Sequence, residues 1–407
     1  MIFETIGMAM MGTSVAMGTH EVMKANKAKK KYKKEFRSNC NSAELFKSHK
    51  HKGKSYKQYP KVISVTIKPH KTTIIFNIPY GMNPENFSKK DYTFRQHFGK
   101  YIQLEMEDRR GILHIYPNGL PEKVTYNYDL VKESMTNMAL PILCGQSLDN
   151  EIKSIDMVEN PHILIAGETG SGKSSAIRSI LTTLIQHLEP SRVKLYLGDL
   201  KRSEFFLFKH LPHVEGVYHS AEEIMTPLKK VKKEMIKRGN MLDKEEVNSI
   251  DQLKEKLPYL VVCIDEVVLL KKETDIMDIL EEISSIGRSL GVFLILSMQR
   301  PDAKLLEGKL KVNMTVRMGF QTADAINARI IGTEGSELIE TAGRMILKVN
   351  SNGEMIQCTW LDNEVAKGIL KPFKVKPKEA LKNEPQPPTE VINNEDSNIV
   401  DLELFRK

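Results

Sequence analysis

No pair of cysteines in this sequence has the spacing of a metal site. Its four cysteines, Cys40, Cys144, Cys263 and Cys358, lie far apart, and Cys263 falls inside a predicted core strand. That excludes a disulfide scaffold or zinc ribbon and points to reduced thiols in a cytoplasmic protein. No internal repeat is present. No uninterrupted run of about 20 apolar residues occurs, the length needed to span a bilayer. The nearest candidate, residues 2–19, is rich in Met and Gly, interrupted by Glu4 and diluted by Thr and Ser. A signal peptide fits poorly, because the basic residues follow this apolar stretch instead of preceding it.

What is abundant is positive charge. The net charge is +8 over 407 residues, with a pI of about 9.0. Such a balance favours polyanionic partners, nucleic acid or an anionic membrane face, although a lysine-rich soluble surface gives the same total. Lys24, Lys27, Lys29, Lys30, Lys31, Lys33, Lys34 and Arg37 follow the apolar stretch directly. Residues 1–22 therefore read as a candidate membrane anchor with the bulk of the protein on the inner face. The competing reading is an amphipathic helix on protein or on a membrane surface. The basic run continues through Lys47, Lys50, Lys52, Lys54, Lys57 and Lys61, so residues 23–61 read as a basic linker. It is either a solvated segment or an electrostatic tether for phosphates of DNA or lipid.

Residues 62–135 change character. Short alternating stretches such as Val62–Ile67 and Thr72–Ile78 read as strands, and Phe87–Phe98 as a helix, giving a small α+β accessory module with no catalytic constellation. From 136 to 373 strands and helices alternate, which predicts a parallel-type sheet in an α/β core. Residues 374–407 turn to Lys, Pro, Glu and Asn and read as a disordered tail.

The chemistry is concentrated at Gly167, Glu168, Thr169, Gly170, Ser171, Gly172, Lys173 and Ser174, glycine, four residues, then Gly-Lys-Ser. His162–Ala166 before it reads as a buried strand, and Ser175–Leu188 after it as a helix. That context is the phosphate-binding loop, in which glycines let backbone N–H groups face phosphate oxygens at a helix N-terminus. ATP is the expected ligand, with Ser175 completing its contacts. Lys173 would reach the β- and γ-phosphates, and the Ser174 hydroxyl would ligate Mg²⁺. About 90 residues later Tyr259–Ile264 is an apolar strand ending in Asp265 and Glu266. Asp265 would hold Mg²⁺, and Glu266 would polarise the attacking water, which argues for hydrolysis over simple binding. Gln299 follows another buried strand and is placed to sense the γ-phosphate. Arg288 ends the helix before that strand. It is either a cation acting in trans on a neighbour's nucleotide or one favoured by its own helix C-terminus.

These residues resemble the motor domain of FtsK/SpoIIIE-type DNA translocases, within the additional-glutamate RecA-like ATPases. The matches run in order over about 200 residues: Gly198-Asp199-Leu200-Lys201, Leu211-Pro212-His213, Glu234-Met235 with Arg238, Gln299-Arg300-Pro301, Asn313 with Arg317, and Gly343-Arg344. The resemblance implies a RecA-like P-loop core that hydrolyses ATP to move double-stranded DNA without strong sequence preference. It implies a homo-oligomeric ring, expected to be a hexamer, with loops contacting phosphates. Lys304, Lys309 and Lys311 are the candidates for such contacts, against the plainer reading of surface lysines. Asp265-Glu266-Val267 departs from the family's Asp-Glu-Leu-Ala. The tail is too short for an orientation-reading winged helix, which points to the compact versions on plasmids, phages and conjugative elements. The alternative function is a membrane-associated adaptor that delivers a nucleoprotein substrate to a secretion channel, with ATP as an assembly switch and relaxosome or channel proteins as partners.

Overall fold

The computed structural model describes residues 23–51, 54–306 and 309–375. The candidate anchor and the tail lie outside them. Among the described residues no helix is long and apolar enough to cross a membrane.

The α/β core is built on a ten-stranded sheet. Six strands run parallel: Val214–Tyr218, Val193–Asp199, Tyr259–Asp265, Val292–Met298, Ile163–Ala166 and Val316–Gly319, in that spatial order. Three of the middle four, all but Val193–Asp199, are near-continuous apolar runs because both faces of a central parallel strand are covered; all seven positions of Tyr259–Asp265 and of Val292–Met298 are buried. The sheet is mixed, not wholly parallel. Arg344–Val349, Asn352–Gln357, Pro141–Ser147 and Ile152–Asp156 extend it as an antiparallel meander. The hairpin between the first two of these turns at Asn350, whose φ of +54° suits asparagine.

Helices cover this sheet. Lys173–His187 packs with Asn363–Leu370, while Thr274–Ile286 packs against both Ala221–Glu245 and Lys309–Asn313. Arg238, fully buried in Ala221–Glu245, donates to the carbonyls of Leu290 and Pro258 at 2.8 Å each, with Glu234 at 3.1 Å. It ties together the starts of two central strands, so this motif residue is structural.

The accessory module is a four-stranded antiparallel sheet, Lys61–Ile67, Thr72–Asn77, Arg110–Ile115 and Ile102–Met106 in that order. The expected helix at 87–98 is two, Glu85–Lys89 and Asp91–Phe98, broken at Lys90. The basic segment differs from the linker expected of it. Residues 23–42 are helical, and Phe36 and Cys40 are fully buried in the module's core beside Phe76, Phe87 and Phe94. Tyr32, Phe36 and Cys40 recur every four residues, one stripe of a helix, and the lysines occupy the rest of its surface. Lys47–His51 and Lys54–Gln58 then pair as an exposed antiparallel hairpin.

The contacts that join module and core include an ion pair and a buried arginine. Lys71 and Asp149 pair at 3.0 Å. Arg344 is buried, and its guanidinium donates to the Tyr101 hydroxyl at 2.9 Å and to the carbonyls of Leu120 and Pro121 at 3.2 and 2.9 Å.

Candidate functional site: a phosphate loop with two acidic strands

Four parallel strands end at one edge of the sheet, where ligands of open α/β sheets bind. Ile163–Ala166 runs into Gly167, and Val193–Asp199 and Tyr259–Asp265 end in paired aspartates. Val292–Met298 runs into Gln299. The chain turns from Ala166 into the helix Lys173–His187 through Gly170 at φ +83° and Gly172 at φ +98°, backbone that favours glycine. A Cβ on Gly172 would lie 2.4 Å from the amide nitrogen of Gly343, and that amide donates to the Ser171 carbonyl at 2.7 Å. The loop is thus braced from behind by the Gly343-Arg344 turn.

Inside the loop Lys173 is buried, and its ammonium donates to Asp265 Oδ1 at 2.9 Å and to Ser297 Oγ at 2.7 Å. Ser297 Oγ donates in turn to Asp265 at 3.0 Å. The Ser174 hydroxyl donates to Glu204 Oε1 at 2.7 Å. Glu204 is held by Arg178 at 3.6 Å and by its own amide on Asp199, which also accepts from the amides of Ser203 and Phe205. Burial raises the Glu204 carboxyl above the usual carboxylate range, against the lowering effect of the Ser174 hydrogen bond.

Glu266 is buried with φ +59°, a left-handed backbone that costs a non-glycine residue roughly 1–2 kcal/mol. Such strain persists where surroundings enforce it. Here Lys201 pairs with its carboxylate at 2.8 Å, and the Gln299 amide donates to both its oxygens at 3.2 Å. Glu168, Thr169, Glu266, Gln299 and Arg300 line a cleft of about 560 Å³. Lys173, Ser174, Asp265, Glu266 and Gln299 are therefore brought to one place from three segments spread over more than a hundred residues of sequence.

Arg288 is not brought there. It is exposed and its Nε donates to the Val158 carbonyl at 3.0 Å, at the amino ends of the strands whose carboxyl ends carry the loop. Arg317 turns inward onto the carbonyls of Met314 and Lys311. Lys304 is exposed and Lys311 partly so, in the connection after Gln299, where Lys309 opens a short helix. Sequence reasoning missed Glu204 and Ser297. The only signal for either was proximity to a motif: Glu204 lies five residues after Asp199, and Ser297 two before Gln299.

Residues 131–257 match the FtsK/SpoIIIE family. The DNA translocase FtsK of Chlorobaculum tepidum is 31% identical over 267 residues, 60% of this chain and 33% of that protein. The DNA translocase SftA of Bacillus subtilis is 34% identical over 216 residues, 50% of this chain and 23% of that one. The chain thus spans a third or less of these relatives' length. Among solved structures, the pCW3 conjugation coupling protein TcpA, a monomer form with ATPγS, superposes with a TM-score of 0.56 at 21% identity. That likeness covers 84% of this chain and 99% of TcpA, so the fold of the α/β core with the module before it recurs there.

Proposed function

We propose that this chain is an ATP-hydrolysing motor that moves double-stranded DNA, working as a homo-oligomeric ring, a hexamer by resemblance. The observation that carries the reading is the fixed second carboxylate. Glu266 is clamped by Lys201 and the Gln299 amide at an open cleft beside the phosphate loop, as a water-activating residue must be. A nucleotide switch that only binds has no use for such a strained, held acid.

The donor set suits magnesium. Ser174, Asp265 and Glu204 offer hard oxygens, and Mg²⁺ takes one or two protein ligands and keeps water and phosphate for the rest. When bound, the ion would neutralise charge on the β- and γ-phosphate oxygens. Lys173, once it leaves Asp265, carries its ammonium to the same phosphates. Glu266 takes the proton of the attacking water, and Gln299 reports on the γ-phosphate. Arg288, remote from its own loop, is available only to a neighbouring subunit.

DNA as the substrate is supported by the family domain and by charge. Residues 23–61 hold 14 Lys and Arg against two acids, and the rest of the chain holds 46 against 50. The basic helix and hairpin would hold duplex phosphates, and Lys304, Lys309 and Lys311 would contact them during movement. Membrane tethering through residues 1–22, and delivery of the DNA to a transfer channel, fit the same scheme.

The test is ATP turnover with and without duplex DNA. Wild type should be stimulated by DNA of any sequence. Lys173→Ala should lose turnover while folded, and Glu266→Gln should bind ATP yet hydrolyse it 10²–10⁴-fold more slowly, roughly what one general base supplies. Wild-type rates from either folded variant would overturn the assignment.

A further inference from the structure

A phosphate loop binds through the directions of its backbone N–H groups. One of those directions is set here from outside the loop. The Ser171 carbonyl accepts from the Gly343 amide at 2.7 Å. A peptide unit is planar and trans, so a carbonyl fixed on one side aims the N–H of the next residue, Gly172, to the other. With the Gly343 turn behind the loop, that N–H points forward, where a phosphate oxygen would sit. The two backbones touch: a Cβ on Gly172 would also lie 2.6 Å from Gly343 Cα.

Gly343 is held in its turn. Its φ is +78°, and its carbonyl accepts from the Cys358 amide at 2.8 Å. The Gln357 side chain donates to the Ala342 carbonyl at 3.0 Å and accepts from Arg344 Nε at 3.2 Å. The rest of the Arg344 guanidinium reaches the accessory module and the connection after it, at the Tyr101 hydroxyl and the carbonyls of Leu120 and Pro121. Tyr101 is fixed as well. Its carbonyl accepts from the Tyr116 amide at 3.0 Å, and its ring lies against Gly119, where a Cβ would come within 2.3 Å of it. Beside this junction a cleft of about 280 Å³ opens between Arg95, Tyr101 and Gln103 of the module and Leu148, Ile346 and Met355 of the core.

All four acceptors of Arg344 are neutral. A cation buried among neutral groups is unfavourable unless hydrogen bonds compensate, and an apolar side chain would fill the space without that penalty. What the planar fork supplies is one fixed geometry for several segments at once. We propose that Arg344 is a positioning residue for nucleotide binding, and that the accessory module, through Tyr101, is part of the support of the phosphate loop. Arg344 acts through Gly343 on the Ser171–Gly172 peptide. When the fork is loosened that peptide turns, and a phosphate donor is lost while Asp265 and Glu266 stay in place. The inference rests on the phosphate-loop reading above.

The test uses full-length protein. Arg344→Lys keeps the charge and loses the fork. Its KM for ATP should rise about tenfold, roughly the worth of one hydrogen bond to a charged group, with kcat little changed. The inhibition constant of inorganic tripolyphosphate, which has phosphates alone, should rise by the same factor. Tyr101→Phe should move both constants the same way, about threefold, and should add little to Arg344→Lys in the double variant. Lys71→Ala breaks the ion pair between module and core and should leave KM as it is. Simple loss of fold lowers the active fraction, and so kcat, at constant KM. That pattern in Arg344→Lys and Tyr101→Phe would overturn the proposal, as would unchanged constants in both. An equal rise in Lys71→Ala would assign the effect to module docking at large and overturn it too. If Arg344→Lys fails to fold, Tyr101→Phe decides. Wild type that neither hydrolyses ATP nor binds tripolyphosphate would overturn the phosphate-loop reading beneath.

Discussion

At the scale of single residues, the site is a set of acids and cations that already satisfy one another. Lys173 rests on Asp265, Lys201 on Glu266, and Ser174 on Glu204. Eight consecutive residues and the Asp265-Glu266 pair were legible because each motif is local. Glu204 and Ser297 were not, because their roles come from contacts with distant segments. His162, next to the strand that feeds the loop, was legible only as part of a strand. It is buried, and its Nδ1 accepts the Leu294 amide at 3.1 Å, a bond that only the unprotonated nitrogen can make. Burial pushes its pKa down to about 4 from 6.5. Between these values the unfolded chain binds the proton and the folded one does not, so stability falls as pH drops through that window, by ~1.4 kcal/mol per pH unit at most. His162→Asn keeps an acceptor and tolerates the φ of +62° found there. Thermal melts from pH 7 to 4.5 should show a flatter decline for the variant than for wild type; parallel curves would mean that His162 does not carry the acid sensitivity.

At the scale of elements, the buried parallel strands were readable from runs of β-branched residues bounded by turn signals. The antiparallel extension was harder. Pro141–Ser147 is buried on both faces at six of seven positions, so it lacks the alternation that marks a strand with one wet face. The basic segment misled for another reason. Lysine is a good helix former, but a dense run of like charges reads as solvated chain. The stripe of Tyr32, Phe36 and Cys40 was present, with only three members to announce it. The Phe36 ring lies tilted against that of Phe76, centroids 4.6 Å apart, and is fully buried, so the helix is part of the module's core. Phe36→Ala should therefore cost about 3–5 kcal/mol of module stability. Hydrogen exchange should show protection lost across the module's sheet while the strands around the phosphate loop keep theirs. Unchanged exchange in the module would mean that the helix is docked only loosely.

At the scale of the whole molecule, two predictions concern assembly and partner. Arg288 and Lys173 lie at opposite edges of one sheet, so Arg288 can reach a nucleotide only on another copy. Arg288→Ala and Glu266→Gln subunits, each inactive alone, should recover partial turnover when mixed, with a dependence on mixing ratio set by ring size. An Arg288→Ala protein with near-normal activity would assign the residue to its own helix end, worth roughly 0.3–1 kcal/mol. Replacing the exposed Lys29, Lys30, Lys33 and Lys34 by Glu should weaken duplex binding and lower the slope of log K against log salt by about 0.9 for each phosphate no longer neutralised. ATP turnover without DNA should stay at the wild-type rate. An unaltered salt slope would place the phosphate-binding cations elsewhere. The division of charge has one more consequence. With 14 of the 60 cations set against only two acids in residues 23–61, and a slight excess of acids over the rest, the protein is an electric dipole. A polyanion exerts a torque on a dipole before it exerts any contact force. A duplex drifting in at low salt would turn the protein basic end first, so alignment precedes docking. At physiological ionic strength, where fields fade over about 8 Å, that turning would be confined to the last step of approach.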